Sequence, residues 1–491
     1  MTGSPAADQL PRPLRIVFGD RLGLTIFLVG LIFFGITWRL GFFIVDSRTI
    51  ANLVANLADG RLAVVEAPYS LTAANQPGLV EAGGRLYGRN YGIAYLAVPA
   101  TWFFETIHGI FTLRVIIGGF WALGLVAVGR TTSVLLDWPG LAKAGALAGL
   151  VAVAVTILFR TPATAFDEPA PLLGLQLTTM LVAAYGGTLL YRLLADRPRV
   201  GVAAGFGLLF ASPIGFWGTI PKRHVVTATL LLLACLCFAT STRRDGHWTV
   251  LGRGGAYATL AFLGSIHAFE AAFMLAVLIP VDLATHRHAP LHEHALVACI
   301  FLIGAIPVLA TNFAIAGDPM TTPRMLPAAD GSGPRLGTVG VGPADGGSVG
   351  SAGSATDGGG SSLGGPQTGT SSGSSPLAIP LVAGLVGQIA WIVGYMLDSL
   401  TAGLADLGQL GGLYHTVVRS GWIPGVRYAV NGWEAVELSL LEAVPLLAIL
   451  VAGPALLVAD IPRQLRESVQ WPTWRPVDAL ALAMASVFFI V

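Results

Sequence analysis

Acidic and basic side chains gather in one polar segment of an otherwise apolar chain. This segment, Asp46–Asn90, directly follows an apolar stretch around Leu22–Val45 that is long enough to cross a bilayer, which takes about 20 residues. A carboxylate can accept a proton, and an arginine can bind an anion through its fork of N–H donors. A charged connection of this length predicts chemistry at a membrane face. Its charged residues are Asp46, Arg48, Asp59, Arg61, Glu66, Glu81, Arg85 and Arg89.

The composition is typical of a helical membrane protein. Hydrophobic residues make up 54% of the 491 residues and charged residues only 11%, and the mean hydropathy is +0.71. A soluble domain carries about 25% charged residues. The net charge of +1 argues against nucleic acid as a partner, because nucleic-acid binding needs a basic surface. The three cysteines lie in apolar runs and are expected in the core, not in a disulfide or metal framework: Cys235, Cys237 and Cys299.

Arginines predict the orientation of the chain in the membrane. Residues 1–21 form a polar segment that holds Arg12, Arg15 and Arg21. Because basic residues flank spans on the cytoplasmic side, this segment predicts a cytoplasmic N-terminus for a multi-pass protein of the cell membrane. The apolar run that follows is too long for the core of a signal peptide, which has about 7–15 residues. Residues 46–90 are then the first outer loop, and the active site is predicted on the outer face.

The predicted fold class is all-α, a polytopic helical membrane protein with about 11 spans and a large first outer loop. The apolar segment Tyr91–His108 contains Pro99 and lies between outer-face segments, so it is predicted to lie in, or dip into, the outer leaflet. The spans are predicted at Leu22–Val45, Phe111–Leu136, Ala144–Phe159, a segment ending at Leu194, Val200–Trp217, a segment ending at Arg243, two within Gly255–Ala284, Ala295–Ile315, Val436–Ala459 and one from Val477.

Composition divides the chain after the N-terminal segment into three further parts. Residues 22–326 form an N-terminal membrane domain. Residues 327–376 are mostly Gly, Ser, Thr and Ala, which bury too little apolar surface to offset the entropy of ordering, so disorder is predicted there. Residues 377–491 form a C-terminal membrane part whose last span stops at Val491 within an apolar run, as it would in a truncated chain. Within this part, Pro380–Val430 is predicted as outer interfacial or re-entrant helices, or as a further pair of spans.

Four motifs, in order along the chain, carry a resemblance to a known family. They are an acidic residue, helix and terminal Gly at Asp46–Gly60, the Tyr/basic/Gly run Leu86–Gly92, the acidic Phe166–Pro169, and Asn312–Pro319 at the end of a late span. Their order resembles the GT-C glycosyltransferases that use polyprenyl-phosphate-linked sugars, such as protein O-mannosyltransferases and aminoarabinose transferases of lipid A. The resemblance implies transfer of a sugar from a polyprenyl (dolichyl) phosphate in the membrane to a protein, lipid or glycan acceptor. It also implies inversion at the sugar, with neither a metal nor a cofactor.

The resemblance implies roles for particular side chains. Asp46 would take the proton from the acceptor hydroxyl, and Arg89 would hold the donor phosphate and stabilise the departing charge. Further basic candidates for the donor phosphate are Arg85, Lys222 and Arg223. His267 and Glu270 lie in an apolar pair of spans, where ionisable residues are costly and point to function. The remaining site candidates are Asp167 and Glu168.

Structural roles stand beside these functional ones. Asp46 could cap a helix over 47–57, and the Asp167–Glu168 pair could cap the helix that follows Pro169. Arg89 could anchor the chain at lipid headgroups, and Lys222 could mark a span boundary. The four histidines of the next connection are predicted to lie in a solvated cytoplasmic loop and not to bind a metal: His286, His288, His292 and His294.

Two other functions remain open at this point. One is a lipid or solute transporter or flippase, which needs ionisable residues near the middle of the bilayer and usually has repeated halves. The chain shows no internal repeat, and its charges gather at span ends. The other is a degenerate GT-C-fold protein, since Ser47 stands where family members often have the second residue of an Asp-Glu pair, and no Pro-Pro pair follows Arg89.

Overall fold

A computed structural model describes residues 10–38, 40–42, 45–70, 78–108, 110–159 and 169–326, with seven further single positions at 394, 397, 476, 477, 480, 481 and 484. Within these residues the chain is mostly helical, which confirms the helical fold class. The helices are α1 (Arg12–Phe18), α2 (Arg21–Thr37), α3 (Val45–Ala58), α4 (Tyr91–His108), α5 (Leu113–Leu135), α6 (Gly140–Phe159), α7 (Ala170–Leu193), α8 (Pro198–Phe210), α9 (Pro213–Trp217), α10 (Arg223–Arg243), α11 (His247–Leu263), α12 (Ala268–Thr285) and α13 (Leu291–Ala316), and a 3₁₀ helix follows at Pro323–Met325.

Six of these helices are long and apolar enough to cross a membrane: α5, α6, α7, α10, α12 and α13. The pair α1 and α2 passes the same test together, although the two are bent by 66°. The chain is therefore a membrane-embedded protein. The spans predicted at Val436–Ala459 and from Val477, the segment 327–376 and nearly all of 377–491 lie outside the described residues.

Two predicted spans differ from the helices observed. The first span ends at Thr37, because Trp38 adopts an extended backbone, and a separate helix, α3, begins at Val45. The span predicted over Val200–Trp217 is broken after Phe210. Pro213 has no backbone N–H to continue α8, and the hydroxyl of Ser212 accepts a hydrogen bond from the backbone of Ile214 at 3.1 Å, which starts α9.

The helix predicted at Tyr91–His108 is confirmed as α4, with Pro99 inside it. It packs along α7 and against α3. Contact with α7 is close, since a Cβ added at Gly174 would lie 2.6 Å from the backbone nitrogen of Thr101. α4 is thus part of the helix bundle, and it fixes where the residues just before it, Arg89 and Asn90, enter the fold.

The first polar loop contains a β-hairpin that the sequence analysis missed. Strand β1 (Leu79–Ala82) pairs antiparallel with β2 (Arg85–Gly88), and the turn residues Gly83 and Gly84 have φ values of 56° and 72°. A Gly-Gly pair between alternating residues is a hairpin signal, because both turn positions need positive φ. The hairpin packs on α3, where a Cβ at Gly88 would lie 2.6 Å from Leu53.

Two buried asparagines of α3 hold the rest of this loop. The Asn56 side-chain oxygen accepts hydrogen bonds from the backbone of Val65 at 2.9 Å and Glu66 at 3.1 Å. The Asn52 oxygen accepts one from Tyr69 at 3.0 Å. Both asparagine side chains are fully buried. The segment after α3 is therefore fixed onto the helix that carries Asp46.

A buried ionic network lies at the other end of the bundle. Arg253 of α11 and Asp282 of α12 form two parallel bonds of 2.9 Å, and their side chains are 0% and 2% exposed. Arg253 also contacts Nδ1 of His294 at 2.9 Å, and Asp282 contacts Nδ1 of His286 at 2.9 Å. The prediction of a solvated loop is therefore wrong for these two histidines, because packing of α11, α12 and α13 draws them to the buried pair.

Candidate functional site

Most of the predicted site residues that the structure describes gather at one end of the bundle, called here the site end. There α3, α4, α10 and α12 begin, and α11 and α13 end. Three contacts join these segments. The hydroxyl of Ser47 donates to the carbonyl oxygen of Pro221 at 2.8 Å, and the backbone nitrogen of Gly92 donates to the carbonyl oxygen of Ser265 at 2.9 Å. Arg223 pairs with Glu270 at 3.5 Å.

Arg89 lies in a narrow pocket at the site end. The pocket has about 320 Å³ of empty space, part of it open to solvent. Arg324, from the segment that follows α13, also lines it. Among the described lining residues none is acidic, so the pocket favours an anion. The lining consists of Arg89, Tyr91, Gly264, Ser265, Ala268, Val308, Thr311, Asn312, Thr322, Pro323 and Arg324.

In the part of the chain that the structure describes, the buried polar atoms of this pocket that have no hydrogen-bond partner include Nε of Arg89 and Oγ1 of Thr322. Buried polar groups are nearly always paired, so each such atom needs an explanation, and a ligand is one. The sequence analysis missed Thr322 and Arg324, although Arg324 follows the Asn312–Pro319 motif by only five residues.

Other polar side chains of the pocket already have protein partners. The Ser265 hydroxyl donates to the carbonyl oxygen of Phe262 at 2.6 Å, and the Asn312 amide donates to that of Pro319 at 2.9 Å. The guanidinium of Arg324 donates to the side-chain oxygen of Asn90 at 3.2 Å. This last bond brings the segment after α13 to the residue next to Arg89.

His267 and Glu270 lie beside the pocket, at the first turn of α12. His267 caps the helix, because its Nδ1 accepts a hydrogen bond from the backbone of Glu270 at 3.2 Å. The Glu270 carboxylate accepts a bond from Thr227 at 3.0 Å and pairs with Arg223. Burial, and next the charge of Arg324, lower the pKa of His267 to about 3, so its ring is neutral at pH 7.

Asp46 lies in the first turn of α3, where a negative charge is favourable next to the helix N-terminus. Its side chain is exposed and has no hydrogen-bond or ion-pair partner within the described residues. The bond from Ser47 to Pro221 holds this turn next to the segment that carries Lys222 and Arg223. Asp46 does not line the Arg89 pocket.

The remaining predicted site residues lie apart from the pocket or outside the description. Lys222 precedes α10 and places its ammonium 5.0 Å from the centre of the Trp217 ring. Arg85 is exposed at the hairpin turn, opposite Ala82. Asp167 and Glu168 lie outside the described residues, so the structure does not test them.

Over the described ranges, no group of three or more His, Cys, Asp or Glu side chains is placed to hold a metal ion. Comparisons with protein-family models, with curated proteins and with solved structures give no match to this chain. The site itself is a basic pocket around Arg89, beside the first turn of α12, which carries the Glu270 carboxylate.

Proposed function

We propose that this protein is an integral membrane glycosyltransferase that moves a sugar from a polyprenyl-phosphate carrier to an acceptor at the outer membrane face. The observation that carries the proposal is the Arg89 pocket, whose described lining holds two arginines and no carboxylate. An anionic headgroup bound there would belong to a lipid, because the pocket sits in a protein with six apolar helices long enough to cross a membrane. The sugar-carrying donor and the type of reaction are inferred from the order of motifs, which resembles that of the GT-C family.

The proposed reaction is a single displacement at the anomeric carbon. An acceptor hydroxyl oxygen attacks that carbon, the bond from the carbon to the phosphate oxygen breaks, and polyprenyl phosphate leaves with the bonding electrons. The proton of the hydroxyl passes to the Asp46 carboxylate. The guanidinium of Arg89 stabilises the negative charge that develops on the leaving phosphate. Attack from the side opposite the phosphate inverts the configuration of the sugar.

Two carboxylates of the site end could serve as the base, and their surroundings favour Asp46. Glu270 is engaged by Thr227 and Arg223, so its two carboxylate oxygens already have protein partners. Asp46 is exposed and free of such partners among the described residues. An acceptor approaching from solvent therefore meets Asp46 first, while Glu270 orders the cations around it.

The positions of the buried charges support a transporter less well than a glycosyltransferase. Arg253 lies six residues after the first residue of α11, about 9 Å along the helix, and Asp282 is three residues before the end of α12. A pathway across the membrane needs ionisable residues near the middle of the spans. Asp282 lies near the end of its helix, and the two charges neutralise each other.

Sugar transfer from polyprenyl-phosphate donors, in membranes that contain the full-length protein, tests the proposal. Asp46→Asn keeps the size of the side chain and removes the base, so transfer is expected to fall roughly 100-fold or more at unchanged protein level. Asp59→Asn is the control, because Asp59 is an exposed aspartate directly after the same helix, where it pairs with Arg61. If wild type transfers sugar from none of the donors, the proposal that the protein is an enzyme is wrong. If Asp46→Asn still transfers sugar, another residue is the base, and Asp167 and Glu168 are tested next.

A further inference from the structure

Helix α1 buries none of its residues against the rest of the described chain. Its exposed apolar side chains are Leu14, Ile16 and Val17, with 39%, 63% and 40% of their surface accessible. A helix of seven residues is too short to be stable in water by itself, since isolated helices shorter than about 12–15 residues are marginal. An apolar environment must therefore cover α1, and a protein with membrane spans lies in one, the lipid bilayer.

Contacts with α7 fix the direction in which α1 departs from α2. The carbonyl oxygen of Val17 accepts hydrogen bonds from the guanidinium of Arg192 at 2.6 Å and from the hydroxyl of Tyr185 at 3.2 Å. Gly19, between the two helices, has a φ of 81°, and a Cβ there would lie 3.3 Å from the Arg192 side chain. The helices are bent by 66°, so an α2 that follows the bilayer normal places α1 about 24° from the membrane plane, as 90° minus 66°.

The sequence of α1 separates its charges from its apolar side chains. At about 3.6 residues per turn, Arg12 and Arg15 lie on one side of the helix, and Leu14, Val17 and Phe18 lie on the opposite side. This pattern is typical of helices that lie in the membrane interface, with the apolar side in the acyl chains and the basic side at the headgroups. The 17 residues of α2 span about 26 Å on their own, so α1 is not needed to cross the hydrocarbon core, where its two arginines would be costly.

Further arginines surround α1 at the end of the bundle opposite the site end, called here the basic end. α7 and α10 end there, and Arg243 joins them by donating to the carbonyl oxygen of Leu193 at 2.9 Å and to Asp196 at 3.0 Å. Arg244 lies 5.2 Å from the centre of the ring of Trp248, a residue type enriched at membrane interfaces. Over residues 10–20, 192–200 and 243–248, exposed arginines outnumber exposed aspartates by six to three, a surplus of three positive charges. The arginines are Arg12, Arg15, Arg197, Arg199, Arg243 and Arg244, and the aspartates are Asp20, Asp196 and Asp245.

We infer that the basic end binds anionic phospholipids of the bilayer, with α1 lying in the headgroup region of the leaflet opposite the site end. The arginines of α1 and of the two neighbouring connections contact the lipid phosphates, which arginine holds through two parallel bonds. A neutral phospholipid also carries a phosphate, but only an anionic one offsets the positive surplus of this surface. The surface is separate from the Arg89 pocket, and the inference does not depend on sugar transfer.

Equilibrium binding of fluorescent phospholipids to the purified full-length chain in a neutral detergent tests the preference for anionic lipid. The probes are phosphatidylglycerol, which is anionic, and phosphatidylcholine, which is neutral, with the same acyl chains and fluorophore. Phosphatidylglycerol is expected to bind at least about tenfold more tightly at low ionic strength, and salt is expected to reduce the difference. Arg12→Gln and Arg199→Gln are each expected to weaken its binding about fivefold, and the double variant about 25-fold. The matched control is Arg48→Gln, which changes an exposed arginine of α3 at the site end and is expected to keep the wild-type affinity.

The position of α1 is tested separately in bilayers that contain phosphatidylglycerol. Leu14→Cys carries a fluorophore, and phospholipids with a spin label near the headgroup quench it; the native cysteines Cys235, Cys237 and Cys299 are first replaced by alanine. The label at residue 14 is expected to lose most of its fluorescence. Glu81→Cys, exposed on the first strand of the hairpin, is the control and is expected to lose little.

Three results would overturn the inference. The first is equal affinity for the two phospholipids, and the second is a loss of affinity in Arg48→Gln as large as that in Arg12→Gln and Arg199→Gln. The third is a label at residue 14 that lipid does not quench, which would mean that a protein surface, such as a second copy of the chain, covers α1. Each result is independent of whether the protein transfers a sugar.

Discussion

The backbone nitrogen of Gly92 donates a 2.9 Å hydrogen bond to the carbonyl oxygen of Ser265. This contact joins the first turn of α4 to the turn between α11 and α12, and Arg89 and Ala268 line the pocket on its two sides. The approach is possible because Gly92 has no side chain. A Cβ there would lie 2.3 Å from Oγ of Ser265 and 2.5 Å from Cγ1 of Ile266.

Gly92→Ala is therefore expected to destabilise the protein and to open the pocket. The added methyl group overpacks a buried contact, which costs about 1–3 kcal/mol. Thermal unfolding in detergent, followed by tryptophan fluorescence, measures the loss. The control is Gly207→Ala in α8, where no atom lies within 4 Å of the added Cβ, so helix propensity makes that change neutral or stabilising. Equal stability of Gly92→Ala and wild type would contradict the close approach.

Breaking the buried pair of Arg253 and Asp282 is expected to cost about 3–5 kcal/mol of unfolding free energy, because either partner alone is a buried charge left with weaker contacts, such as that of Arg253 with Glu293 at 3.9 Å. Asp282→Asn and Arg253→Met test this by thermal unfolding. The double variant Arg253→Met/Asp282→Leu removes both charges and is expected to recover most of the loss. Asp196→Asn, which breaks an exposed pair, is expected to cost less than about 1 kcal/mol. A double variant that is no more stable than the single ones would refute this account.

The free energy of unfolding is expected to decrease as the pH is lowered, because of His267. Burial, with Arg324, Arg223 and His224 in support, lowers its pKa to about 3, while the unfolded chain has the ordinary value near 6.5. Below pH 6.5 the unfolded state therefore binds a proton that the folded state does not. This contribution to stability is complete above about pH 6.5 and is lost as the pH falls toward 3, with a slope of at most about 1.4 kcal/mol per pH unit.

His267→Asn separates this effect from the titration of carboxylates. Asparagine keeps a side-chain oxygen to cap α12 at the Glu270 backbone, and it does not titrate. Unfolding free energy measured from pH 7.5 to pH 4 is expected to fall less steeply in the variant than in wild type. Parallel curves would show that His267 does not remain neutral in the folded protein.

The sequence predicts the helices well and the site only in part, for a physical reason. Helices such as α4 follow from apolar runs bounded by polar residues, which are local signals. The Arg89 pocket depends on Arg324, and packing of α13 against α11 and α4, with the bond from Arg324 to Asn90, brings the two arginines together. No local pattern carries that information. The break at Ser212–Pro213 and the hairpin at Gly83–Gly84 did have local signals, which the long apolar and polar runs around them obscured.

For the histidines between α12 and α13, a local pattern was present but led to a wrong prediction. A run of His, Arg and Glu between two spans is typical of a solvated connection, and the sequence predicts one. His286 is four residues after Asp282, so a single helical turn brings its ring to that carboxylate. Arg253, which pairs with this carboxylate, lies in another helix, α11. Only the packed structure therefore shows that the carboxylate is buried.

Ser47→Ala is expected to lower sugar transfer while leaving the Arg89 pocket intact, since its hydroxyl ties the turn that carries Asp46 to Pro221. Loss of one buried hydrogen bond costs about 0.5–1.5 kcal/mol and lets the base move relative to the cations. A displacement of about 1 Å at a reacting group can reduce the rate on the order of 100-fold, so kcat should fall more than donor binding. Sugar-transfer rates and farnesyl phosphate affinity, measured on the same preparations, provide the test. Ser133→Ala, at the C-terminal end of α5, is the control for hydroxyl loss. Equal losses of affinity and of kcat in Ser47→Ala would mean that α3 supports the whole site and does not position Asp46 in particular.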